Sequence, residues 1–161
     1  MLSQILSRDT CAECRFCCSF KRSSLWETPL FFEPEKNMLE KLGYTFLQEE
    51  GCGLMDLATR YKTEDPEEEA PCFFLDSEKG CTLDEELKPF DCKIWPLRLM
   101  NRKGRLVLAL TPTCQAVNRI PFEDLQKFVK EGLAESIYEY SQRHPRMIKN
   151  YREGFPVLHE Y

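Results

Sequence analysis

Residues 10–22, TCAECRFCCSFKR, carry Cys11, Cys14, Cys17 and Cys18, four thiols within eight positions. Cysteines separated by two residues let both sulfurs turn inward around one metal, while the backbone of such a knuckle donates N–H bonds to the thiolates. One C-x2-C pair supplies half of a tetrahedral zinc site. Three evenly spaced cysteines, Cys11, Cys14 and Cys17, match the local part of a ferredoxin-type run, whose fourth ligand comes from farther along the chain. Neighbouring side chains diverge, so Cys17 and Cys18 are expected to serve two ions, or two edges of one larger site. The fold read outward from this stretch is α+β: a small cysteine-rich, metal-tied centre with short β-hairpins, flanked by helices.

The remaining cysteines supply the rest of the ligand set. The chain has nine cysteines and only two histidines, His144 and His159. Cys72, Cys81, Cys92 and Cys114 recur at intervals on expected strands or turns that can return to one centre. With Cys11, Cys14, Cys17 and Cys18 they make eight thiolates, enough for two four-cysteine sites and equally compatible with one cluster plus structural thiols. Eight thiolates close together repel one another, so those without a metal stay protonated. Cys52, between two glycines in EGCGL, reads as a small buried residue.

The composition bounds the alternatives. With 161 residues the chain is expected to form a single domain, 1–161, with a C-terminal helical segment from about residue 121. The net charge of −5 argues against nucleic-acid binding, which needs a concentrated basic face. The longest aliphatic run, Leu106 to Leu110, is too short to cross a bilayer, and MLSQILSRDT lacks the basic start and apolar core of a secretory signal. The expected compartment is cytoplasmic, where reduced cysteines bind metal rather than pair as disulfides, a scaffold that the odd count also fits poorly. The expected partner is a protein or small molecule, with no nucleic acid and no membrane.

Local patterns place the elements. EPEKNMLEKLG reads as a helix from about Pro34, with Met38, Leu39 and Leu42 on one face, ended by Gly43. LMDLATRY and CFFL (Cys72 to Leu75) read as strands, and DSEKG as a turn that Gly80 closes. TEDPEEEAP, with five acidic residues from Glu64 to Glu69, reads as an exposed loop. In LRLMNRKGRLVLAL the leucines alternate on either side of NRKG, a hairpin whose Gly104 takes a positive φ. From Pro121, the residues Phe122, Leu125, Phe128, Val129, Leu133, Ile137 and Tyr140 recur at helical spacing. Beyond Pro145 a short helical piece and a loose tail are expected.

CAECRFCC, followed by PCFFL, GCTL and KPFDCKIWP, resembles the CxxCxxCC (YkgJ-like) family of zinc- or iron-chelating proteins. The likeness runs from about Cys11 to Cys114. Cys81 and Cys92 match the cysteines of that family's later block, Lys88 and Pro89 its Arg-Pro, Lys93 its Arg, and Trp95 and Pro96 its aromatic-proline ending. The chain departs from the pattern with Asp84 or Glu85 at the tyrosine position and with an interval one residue longer. The resemblance implies metal chelation by clustered cysteines. A flagellin lysine methylase resembles the same family and is associated with an iron–sulfur cluster, but no glycine-rich cofactor loop supports methyl transfer here.

The expected cofactor is therefore an iron–sulfur cluster, of the 4Fe–4S type, or zinc. The first gives an iron–sulfur protein with a redox, sensing or catalytic role. The second gives a zinc-stabilised binding module, since structural zinc can contribute about 10–16 kcal/mol to folding. A metal hydrolase needs a general base beside the metal, and neither His144 nor His159 is placed to be one. Around the centre, Lys88, Lys93 and Arg98 are candidates to offset thiolate charge or simply to lie solvated on the surface. Asp91 is expected to orient its loop by accepting backbone N–H bonds, and Trp95 to shield the metal.

Overall fold

A computed structural model of the chain describes residues 1–2, 4–21, 24, 26–62, 65 and 67–161. Its architecture is α+β, with helices and several small antiparallel sheets. The residues divide into two compact units, Ser7–Lys93 and a second made of Met1–Leu6 with Ile94–Tyr161. Among the described residues no helix is long and apolar enough to cross a membrane.

The first unit opens with α1 (Arg8–Cys14), capped by Ser7, whose hydroxyl accepts the Thr10 N–H at 3.1 Å. Arg15 then turns into the left-handed region at φ 52°, and a single 3-10 turn, Phe16–Cys18, leads into β1 (Ser19–Lys21). Helix α2 (Glu35–Lys41) lies where its periodicity predicts, with Gly43 just beyond its end. Its apolar face is narrower than expected: Leu39 is fully buried, whereas Met38 and Leu42 face solvent. Strands β2 (Phe46–Glu49) and β3 (Cys52–Met55) form a hairpin, and Phe31 exchanges two backbone bonds with Gly53 on β3's other side.

LMDLATRY is not one strand. Leu54 and Met55 end β3, and Asp56 caps a short helix, α3 (Leu57–Tyr61), by accepting the Thr59 N–H at 3.1 Å. The helix wins because the Asp56 carboxylate satisfies an N–H that would otherwise lack a partner. Of the acidic stretch, Glu64 and Pro66 lie outside the described residues; Asp65, Glu67, Glu68 and Glu69 are exposed, as expected. Strand β4 (Glu69–Pro71) pairs antiparallel with β1.

CFFL is not a strand either: Phe73 and Phe74 turn, and only Leu75 enters β5 (Leu75–Asp76). DSEKG is the expected turn. Asp76 accepts the N–H groups of Glu78 and Lys79, both at 2.8 Å, and Gly80 at φ +74° starts β6 (Gly80–Cys81). The unit ends at Lys93, within helix α4 (Phe90–Ile94). Its core is aromatic, with Phe31 against Phe46 (centroids 4.8 Å apart) and Tyr44 against Phe74 (4.7 Å). Cys72 and Cys81 pack half-buried at the edge of this core.

The second unit is built on the predicted hairpin, β7 (Leu97–Arg102) and β8 (Arg105–Leu110). Lys103 and Gly104 both have positive φ, 54° and 90°, the backbone of a type I′ turn that matches strand twist. Leu97, Arg98, Leu99 and Met100 are all buried, so the hairpin's base is covered on both faces. The long C-terminal helix is interrupted: α5 (Phe122–Phe128) and α6 (Ala134–Arg143) are joined through non-helical Glu131 and Gly132. Leu125, Val129, Ala134 and Ile137 are nevertheless buried, so the apolar stripe continues across the break, while Phe122 stays exposed.

The C-terminus is not loose. A 3-10 turn, Pro145–Met147, leads to β9 (Lys149–Asn150), parallel to β7, and β10 (Val157–Glu160) closes the other edge against β8, giving the order β10-β8-β7-β9. Tyr161 fastens the end, its N–H on Leu106 O at 3.0 Å and its hydroxyl on Ala134 O at 2.7 Å. Pairing with β8 satisfies backbone groups that a tail would leave to water.

Candidate metal centre

The first unit holds eight of the nine cysteines; Cys114 belongs to the second, following β8. Both histidines also lie in the second unit. The first unit therefore offers a sulfur donor set without imidazole, which suits thiophilic metals. No disulfide joins any of the nine cysteines.

Three local devices gather the thiols. The first is the β1–β4 ladder. Ser19 lies opposite Pro71, so the next pair outward is Cys18 and Cys72, joined by the Cys72 N–H on Cys18 O at 2.7 Å. The second is a close approach of α1 to β6. A Cβ built on Gly80 would stand 2.8 Å from both Cα and Cβ of Ala12. Only glycine permits that contact, and it holds α1, which carries Cys11 and Cys14, against β6, which carries Cys81. Arg15 reinforces it by donating from Nη1 to Ser77 O at 2.7 Å. The third is Asp91, whose buried carboxylate accepts the Leu30 N–H at 3.1 Å and so fixes the first turn of α4, where Cys92 sits. This is the role expected of Asp91.

The thiols are near enough to shift one another. Cys17 and Cys18 lie close enough to act on each other, and the Cys17 thiol is raised while the Cys18 thiol is lowered. Cys17 is raised first by its polar interaction with the Cys18 thiol, then by burial and by repulsion from Cys18, Cys92 and Cys11. Cys18 is lowered by its polar interaction with the Cys17 thiol, against a burial cost, and by the Lys88 ammonium. Burial pushes Cys72 up to about 12, with repulsion from Cys18 and Cys81 adding to it. Cys92 faces solvent, yet the protein around it desolvates the thiol and holds it well above its ordinary range, with repulsion from Cys72, Asp91, Cys18 and Cys81 adding to it.

Cys11, Cys17, Cys18, Cys72, Cys81 and Cys92 thus form one electrostatic neighbourhood drawn from four stretches of chain. Among the described residues no three Cys, His, Asp or Glu side chains converge at the spacing a metal ion needs. Cys14 is exposed at the end of α1, with exposed Phe16 two residues on. Cys52 is buried in β3, the small core residue expected of it.

The cationic neighbours separate. Lys88 acts on Cys18 and also reaches Glu85 at 3.3 Å, whereas Lys93 lies 3.9 Å from Glu35. Arg98 is neither solvated nor part of the cysteine unit: it is 2% exposed on β7, its guanidinium over the Trp95 ring at 4.9 Å. Sequence spacing gave no sign of Gly80's packing on Ala12 or of the Cys18–Cys72 register. Both depend on which segments meet.

No known protein family, curated protein or solved structure matches this chain. The resemblance to CxxCxxCC proteins therefore rests on the motifs themselves.

Proposed function

We propose that the Ser7–Lys93 unit is a cysteine-ligated metal-binding module that carries an iron–sulfur cluster. The observation that supports it is the mutual electrostatic coupling of six cysteines from four segments, in a unit without histidine. Apolar burial alone gives no reason to collect so many ionisable thiols at one edge of an aromatic core.

Cys17 and Cys18 both lie within electrostatic reach of Cys92, which favours one centre over two. In this reading Cys11, Cys14 and Cys17 supply the local ligands and Cys18, Cys72, Cys81 and Cys92 surround them, while Cys114 lies outside the module. A cluster there would supply one-electron redox chemistry; zinc in the same thiols would instead act as a fixed crosslink. Lys88 offsets thiolate charge, Asp91 holds the Cys92 turn, and the Gly80–Ala12 contact holds Cys81 against α1.

The test is metal content across single Cys→Ser variants of the full chain. Cys17→Ser and Cys72→Ser are expected to lose metal, and Cys52→Ser to retain it. Full metal occupancy in both Cys17→Ser and Cys72→Ser would refute the ligand assignment.

A further inference from the structure

The first unit also carries a small cavity whose lining includes no cysteine. It measures about 140 Å³ and is lined by Tyr44, Thr45, Asp56, Thr59, Arg60 and Phe73. It is well below the roughly 300–1,000 Å³ of pockets for drug-sized ligands, so its occupant has few heavy atoms.

The charges in it are arranged unusually. Asp56 and Arg60 are four residues apart, the ordinary spacing for an ion pair on a helix, with the acid on the favoured N-terminal side. They form none. Arg60 instead lies over the Phe73 ring, 5.0 Å from its centroid, and makes no hydrogen bond or ion pair among the described residues. A guanidinium stacked on a ring spends no N–H donor on it and keeps its planar fork for a carboxylate. Asp56 uses Oδ1 to cap Thr59 N–H, which leaves its second oxygen uncommitted among the described residues. The cavity is thus lined by one cationic and one anionic residue that form no ion pair with each other, together with Tyr44, Thr45 and Thr59.

We propose that this cavity binds a small zwitterion of the α-amino-acid class, its carboxylate on the Arg60 guanidinium and its ammonium on the Asp56 carboxylate. A simple anion meets Asp56 as a like charge, and a simple cation meets Arg60. A ligand carrying both charges two bonds apart satisfies both walls. The proposal does not depend on which metal the cysteines take, and the Arg60 guanidinium also acts on the Cys72 thiol, which it draws down.

The test is isothermal titration calorimetry on the full chain, with glycine and L-alanine as probes. The controls are N-acetylglycine, which lacks the ammonium, glycinamide, which lacks the carboxylate, and acetate. Glycine or alanine is expected to bind, with each control roughly 10–100-fold weaker, the factor for one lost charge-assisted hydrogen bond. Arg60→Gln should weaken glycine by a similar factor. Asp56→Asn keeps the helix cap, since Asn caps as well as Asp, and should make glycine and N-acetylglycine bind equally. Circular dichroism of both variants checks that the fold is retained. Three results overturn the proposal: no binding of either amino acid up to about 10 mM, far weaker than ordinary recognition; controls that bind as well as glycine; or an Arg60→Gln variant, folded, that binds glycine unchanged.

Discussion

Replacing Gly80 with alanine tests how the cysteine unit is assembled. Two costs arise. At φ +74° an alanine Cβ crowds its own carbonyl, at about 1–2 kcal/mol. The same Cβ would stand 2.8 Å from backbone Cα of Ala12, which cannot swing aside as a long side chain can. Overpacking of that kind costs about 1–3 kcal/mol. Gly51 is the matched control: it lies in the same unit at φ +73°, and nothing stands within 4 Å of its built Cβ. Gly51→Ala therefore carries the first cost alone. The reduced freedom of the unfolded chain affects both variants alike and cancels between them. Urea denaturation of the two variants should show Gly80→Ala less stable than Gly51→Ala by about 1–3 kcal/mol. Gly80→Ala should also lose metal, because α1 and β6, which carry Cys11 and Cys81, are moved apart, whereas Gly51→Ala should not. Equal stability of the two variants would refute the close approach of α1 to β6.

Other tests address single groups. Asp91→Ala removes the buried acceptor of the Leu30 N–H and should destabilise the unit by about 1–3 kcal/mol in urea denaturation, the cost of an unpaired buried donor; an unchanged midpoint would contradict the role given to Asp91. The Asp76 carboxylate is held below its ordinary range by the N–H groups of Lys79 and Glu78. Its stabilisation is thus complete above about pH 4 and lost as pH falls through the depressed folded value; Asp76→Ala should flatten that acid limb, and a parallel curve would count against it. In metal-free protein, iodoacetamide at mildly alkaline pH should label Cys18 ahead of Cys72, because the thiolate is the reactive form. Mass spectrometry that found Cys72 modified first would reverse the assignment.

The parts legible in the sequence are those whose physics is local. NRKG between alternating leucines fixed the β7–β8 hairpin, since a type I′ turn needs residues near the turn and little else. Asp76 and Gly80 marked their turn for the same reason. Helix α3 carried a signal that strand alternation hid: Asp56, three residues before Thr59, is a capping residue ahead of a short helical run. Cys72–Leu75 was ambiguous because a short apolar run has no period of its own. The interruption at Gly132 escaped because the apolar stripe stays in phase across it. Strand β10 depends on a partner some fifty residues earlier, which local pattern does not reveal. At the site, spacing identified the cysteines as a set. It could not foresee that Cys18 would pair with Cys72 or that Cys114 would fall in the other unit. Arg60 and Phe73 carried no motif, and only their stacking distinguishes them.

Purification of the full chain without oxygen, with assay of iron, zinc and acid-labile sulfide per chain, tests the central claim most directly. The account predicts a coloured protein holding iron and acid-labile sulfide in similar, near-stoichiometric amounts. A colourless protein with stoichiometric zinc and no acid-labile sulfide would contradict the iron–sulfur reading, and one with no bound metal at all would contradict the metal-binding module itself.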